Sequence, residues 1–171
     1  YLFDSIRGTG AKAISSNLEA VEGNDSGGAL GSFDSDGFSV GGSTGFNDNG
    51  SGTNGCVAWC WKAGISTSSN TAGDVTSTVS VNDEAGFSIV SFTTPASGSG
   101  FSIGHGLSKA PETIWMKNRD AANNWDVYHH ENGSNPEQYR LKLNSTSARE
   151  DQPYLDDTVP TSSVFRTRSG G

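Results

Sequence analysis

Three segments open on one four-residue pattern: Gly37-Phe38-Ser39-Val40, Gly86-Phe87-Ser88-Ile89 and Gly100-Phe101-Ser102-Ile103. In each, a glycine closes a turn and an aromatic, polar, β-branched alternation begins, which puts successive side chains on opposite faces of an extended strand. A chain punctuated this way is built from short antiparallel strands. Residues 86–94 and 100–104 read as neighbours paired across residues 95–99. Residues 32–40 read as strand, turn, strand, with the Asp36-Gly37 pair supplying the positive φ of a tight turn. Further strands are expected at residues 1–6, 112–117, 124–129, 140–144 and 163–167, with a weak one at 74–81. Residues 11–22 have a helical alternative with Ile14 and Leu18 on one face, but Ser15-Ser16-Asn17 compete for the backbone and favour a strand followed by a loop.

Composition supports this reading. Gly, Ser, Thr and Asn make up 76 of 171 residues, and only 32% are hydrophobic, so a large core and an all-helical fold are excluded. Four Trp, four Tyr and eight Phe are nevertheless too many for a disordered tract, because these side chains bury the largest apolar areas. About ten strands with one dry face per sheet describe an all-β fold: an antiparallel β-sandwich, jelly-roll or lectin/laminin-G-like, with little or no helix. The expected core comprises Phe3, Ile6, Phe38, Val57, Trp59, Trp61, Phe87, Ile89, Phe92, Ile103, Leu107, Ile114, Trp115, Trp125, Val127, Leu141, Leu143, Val164 and Phe165. Residues 56–63, apolar and aromatic almost throughout, read as the strand buried on both faces at the sheet centre. Cys56 and Cys60 within it lie about 13 Å apart on a strand rising roughly 3.3 Å per residue, too far for a disulfide, and read as free buried thiols.

The formal charge of −8 repels phosphate backbones, so nucleic-acid binding is disfavoured. No apolar run approaches the roughly 18 residues of a membrane span, so no membrane insertion is expected. The first residue is Tyr1 and not Met, which reads as a processed product or a piece of something longer.

A longer self-similarity runs through the chain. Tyr1-Leu2-Phe3-Asp4, Ala20 and Phe38 recur in order as Trp125-Asp126-Val127-Tyr128, Ala148 and Phe165, at offsets of 124, 128 and 127. The organisation expected from this is the C-terminal part of one β repeat with its connecting strand at 1–64, a Ser/Thr-rich linker or surface loop at 65–85, and a second, truncated repeat at 86–171. Packing of all three as one compact sandwich is the alternative. The repeat length of roughly 125 residues is that of one domain in a tandem array.

The residues also carry a resemblance. Tyr1-Leu2-Phe3-Asp4-Ser5-Ile6-Arg7-Gly8, Phe33-Asp34-Ser35-Asp36-Gly37-Phe38, residues 57–64, residues 86–90, His105-Gly106-Leu107, Pro111-Glu112-Thr113-Ile114 with Lys117-Asn118, residues 125–129, residues 143–146 and residues 161–165 together resemble a β-rich domain family of tailed, notably marine, bacteriophages. Residues 92–96, Phe-Thr-Thr-Pro-Ala, stand where the family usually has a Tyr-Thr-Gly-Asn-Gly turn. The resemblance implies a module of tail, tail-fibre or other virion structural proteins, located on the virion surface, with other virion subunits and a homo-oligomer as partners. It supplies no catalytic residues.

The residues themselves offer no strong catalytic pattern. His129 and His130 are adjacent and face opposite sides of a strand, so a metal site from His105, His129 and Glu131 is disfavoured. A carboxylate pair drawn from Asp34, Asp36, Glu131 or Asp156 falls in turn contexts, where Asp caps its own backbone. Calcium is the one cofactor considered. Asp34, Asp36 and Asp48 each supply part of a calcium-loop pattern that lacks its first and closing acidic ligands. For a glycan, Tyr128 and Tyr139, with His129 beside them, are the ligand-binding candidates, whereas Trp115 and Trp125 are read as core. The function expected is a non-enzymatic structural module of a phage tail or fibre that can touch the host surface. A lectin-like glycan-binding module is the alternative, and a polysaccharide-degrading enzyme the weaker third.

Overall fold

A computed structural model describes residues 1–10, 12–23, 30–41, 55–96 and 100–168. The fold is all-β, its ladders antiparallel and consistent with a β-sandwich; among the described residues the helical content is one 3-10 turn at Pro136–Gln138. Three strands, β3 (Ser68–Asn70), β4 (Ser77–Asn82) and β5 (Phe87–Phe92), form one sheet in the order β3-β4-β5. Strands β7 (Thr113–Met116), β8 (Asp126–His129), β9 (Tyr139–Lys142) and β10 (Glu150–Asp151) form a meander in the order β10-β9-β8-β7. Strand β6 (Gly100–Gly104) pairs with β11 (Val164–Arg168), and β1 (Leu30–Phe33) with β2 (Phe38–Val40).

Alternation determines what is buried. On β6, Phe101 and Ile103 point inward while Ser102 accepts and donates at the rim, and on β11 Phe165 and Thr167 are the inward pair. These strands meet Tyr128 of β8 and Leu155 in the core, where the Phe92 ring packs edge-on against Phe101 and Phe165 at 6.3 and 6.2 Å. The hairpin between β4 and β5 closes with the Gly86 N–H donating to the Asp83 carbonyl at 3.1 Å, and Gly86 takes φ 65°. That left-handed conformation is nearly free for glycine and costly for other residues.

Several expectations change here. Residues 86–94 and 100–104 hold strands, but β5 pairs with β4 and β6 with β11, so the two are not ladder neighbours. Residues 65–85 carry β3 and β4, with Ser77, Val79 and Ser80 buried. Residues 1–6 form single bridges, Leu2 to Ile14 and Asp4 to Gly8, instead of a continuous strand. The β1–β2 turn is a four-residue connection in which the Asp34 N–H donates to the Gly37 carbonyl at 2.9 Å, and neither Asp36 nor Gly37 has positive φ.

The largest correction concerns residues 56–63. They belong to no strand and join no sheet, and Val57, Trp59 and Trp61 are 83%, 75% and 52% exposed. Cys56 and Cys60 form no disulfide, as expected, but both are exposed and not buried. An unbroken apolar run meets the condition for a two-sided central strand, but whether neighbours lie on both sides is not a property of the run itself. Phe38, Trp115 and Leu143 are likewise exposed, whereas Ile103, Trp125, Val127 and Phe165 are buried; Leu30, Phe101, Tyr128 and Leu155 join the core unanticipated.

Candidate functional site

Of the ligand-binding candidates, β8 supplies two and turns them to opposite faces. Tyr128 is 2% exposed within the core, so its ring cannot serve as a surface platform. Burial, with Glu137 adding to it, pushes the Tyr128 hydroxyl above the ordinary tyrosine range. His129 is exposed at the strand end, where its Nδ1 accepts the Glu131 N–H at 3.1 Å. Tyr139 begins β9 and is half-buried, and the Arg149 guanidinium covers its ring at 4.2 Å, a cation–π contact that occupies the face a sugar would need.

The metal and acid candidates are not brought together. Among the described residues, no three His, Cys, Asp or Glu side chains cluster. His105 lies buried in the turn after β6: its Nδ1 accepts the Leu107 N–H at 3.1 Å, which makes Nε2 the protonated nitrogen that donates to the Thr161 carbonyl at 3.1 Å. Asp34 and Asp36 are exposed in the β1–β2 turn, where Asp34 accepts the Ser32 hydroxyl at 2.8 Å; Asp48 lies outside the described residues. Asp156 bonds Arg168 at 2.6 Å and Arg166 at 3.0 Å, and those hydrogen bonds hold it below the usual carboxylate range, which suits an ion pair and not a proton donor.

Two further charge clusters follow one plan. Glu22 lies between Arg7 and Arg119 at 3.2 and 3.3 Å, and Arg7 also binds Asp4. Glu150 lies between Lys142 and Arg140 at 2.5 and 3.1 Å, and Arg140 also binds Asp126 at 2.9 Å. Burial raises the Asp126 pKa even against the two cations, while the hydrogen bonds from Lys142 and Arg140 lower that of Glu150.

The surface that composition alone did not anticipate is aromatic. Trp59 and Trp61 meet edge to face with centroids 6.4 Å apart, and Trp61 stacks on Phe87 of β5 at 6.2 Å and 18°. The segment is held to the sheet by its backbone: the Asn82 side-chain amide donates to the Lys62 carbonyl at 3.0 Å and the Ser80 hydroxyl to the Gly64 carbonyl at 3.3 Å. With the carbonyls anchored and the rings outward, the strip offers apolar ring faces to solvent.

Residues 1–171 match, over their whole length, the family described as a domain of unknown function, DUF7483. The chain belongs to that family. No curated protein and no solved structure matches it. In this DUF7483 chain the strip of Trp59, Trp61 and Phe87 is the candidate site, in place of Tyr128 and Tyr139. A signal for it was present in the sequence: residues 56–63 hold two of the four Trp on alternating positions, flanked on both sides by Gly- and Ser-rich segments.

Proposed function

We propose that the chain is a non-enzymatic structural module of a bacteriophage tail, tail fibre or other virion appendage, and that the Trp59–Trp61–Phe87 strip is its contact surface with a neighbouring virion subunit. The observation that carries this reading is the exposure of Val57, Trp59 and Trp61 together on one anchored segment. Contiguous exposed apolar surface marks contact sites on proteins that are otherwise polar. The resemblance of nine ordered segments to phage virion domains supports the setting, and the acidic charge of −8 fits a partner other than nucleic acid.

A second reading has a specific observation in its favour. An exposed indole face stacks on the apolar side of a pyranose, so Trp59, 75% exposed, suits a host-surface glycan. A Trp59→Ala/Trp61→Ala double variant separates the two readings. Loss of association with the parent virion subunits at unchanged thermal stability supports the structural reading. Saturable binding on a glycan array that the same variant abolishes supports the glycan. Unchanged behaviour in both assays overturns the strip as a site.

A further inference from the structure

Backbone pairings recur through the chain at offsets of 125 to 127 residues. The Gly23 N–H donates to the Ala13 carbonyl at 3.0 Å, and 127 residues later Glu150 pairs with Arg140. Leu2 bridges Ile14 as Val127 pairs with Leu141, at offsets of 125 and 127. The Asp34 N–H donates to the Gly37 carbonyl at 2.9 Å, and 127 residues on the Thr161 N–H donates to the Val164 carbonyl at 2.9 Å. The two charge clusters follow, their central Glu22 and Glu150 being 128 apart. By this spacing β2 is the counterpart of β11, with Phe38, Ser39 and Val40 standing for Phe165, Arg166 and Thr167.

The counterparts differ in one respect. Phe165 is 3% exposed because β6 pairs with β11 and brings Phe101 beside it, whereas Phe38 is 41% exposed and every residue of β2 faces solvent. Among the described residues no strand pairs with the other edge of β2, and that edge is also the equivalent one. Gly37 and Val164 turn their carbonyls back into the preceding turn, so backbone groups alternate and those of Phe38 and Val40 point to the opposite edge. On β11 that edge is the one facing β6, since the Ser163 carbonyl accepts the His105 N–H at 3.3 Å there.

We propose that β2 is the acceptor for a β6-type strand of a second copy of this unit, joined in a repeating polypeptide. Its register follows β11: Phe38 opposite Ile103, Ser39 opposite Ser102 and Val40 opposite Phe101. The occupant is a copy of residues 65–124, the segment that in this chain precedes Trp125 and supplies β6 to β11. The β6 of this same chain is not free for the task, because Val164–Arg168 already pair along it from Gly104 to Gly100. The inference is independent of the tryptophan strip.

The test is the full chain with residues 65–124 repeated ahead of Tyr1, which sets Tyr1 where Trp125 stands relative to its own β6. Ser39→Cys is combined with Ser102→Cys in the added copy, in a Cys56→Ser/Cys60→Ser background. Ser39 and Ser102 would face each other as a non-hydrogen-bonded pair with Cα atoms about 4.5 Å apart, which a disulfide spans. The expected result is an intrachain disulfide at this pair and none when Ser102→Cys is replaced by Ser88→Cys in the added copy. Amide exchange over Phe38–Val40 should also slow by at least about tenfold relative to the 171-residue chain. Absence of the disulfide with exchange unchanged overturns the proposal. So does an added segment that stays protease-sensitive, because Phe38–Val40 is its stated partner.

Discussion

The indole N–H of Trp125 donates to the Ser15 carbonyl at 2.8 Å, with both groups buried. This bond joins two segments 110 residues apart in sequence and ties the N-terminal bridges to the start of β8. Trp125→Phe keeps much of the apolar volume but leaves the Ser15 carbonyl buried without its donor, a loss of about 1–3 kcal/mol. Trp115→Phe, on a residue that is exposed, should change stability by less than about 0.5 kcal/mol. Denaturant midpoints of the two variants check the contrast.

Tyr154 packs against the core with its hydroxyl buried and unpartnered among the described residues, and burial, followed by Asp126, pushes its pKa upward. A polar group in that state costs free energy on folding. Tyr154→Phe is expected to raise stability by about 1 kcal/mol. A fall of that size in chemical denaturation would show instead that the hydroxyl has a partner in solution.

His105 is held below the ordinary histidine value of 6.5, because burial disfavours the imidazolium more than the Thr161 bond favours it. Its folded pKa lies under its unfolded one, so at intermediate pH the unfolded chain binds the extra proton. This contribution is fully present above about pH 6.5 and is lost as pH falls from there to the folded pKa, below which the group adds no further slope. Melting temperatures from pH 7.5 to 5 should decline in the parent chain, and His105→Gln should flatten the decline. An equal slope in both proteins would refute the assignment.

Trp59 distinguishes the fold seen from the one its sequence suggests. A tryptophan at the centre of a buried strand costs about 3–5 kcal/mol when cut to alanine, whereas one 75% exposed costs less than about 1 kcal/mol. The structure predicts the second result for Trp59→Ala by thermal or chemical denaturation.

The sequence by itself determined the strand class and most strand positions, because alternation and Gly-, Asn- and Ser-rich turns act within a few residues. Gly-Phe-Ser-Ile marks the start of β5 and spans most of β6, and the 127-residue spacing was already visible in Phe38 and Phe165. Only the tertiary structure decided which strand pairs with which and which aromatic residues are covered. Tyr128 is inside, and Trp59 is outside, because β6, β11 and Leu155 surround the one and no described element covers the outer face of the other. Burial depends on neighbours distant in sequence, so two equally apolar segments differ in exposure wherever their partners differ.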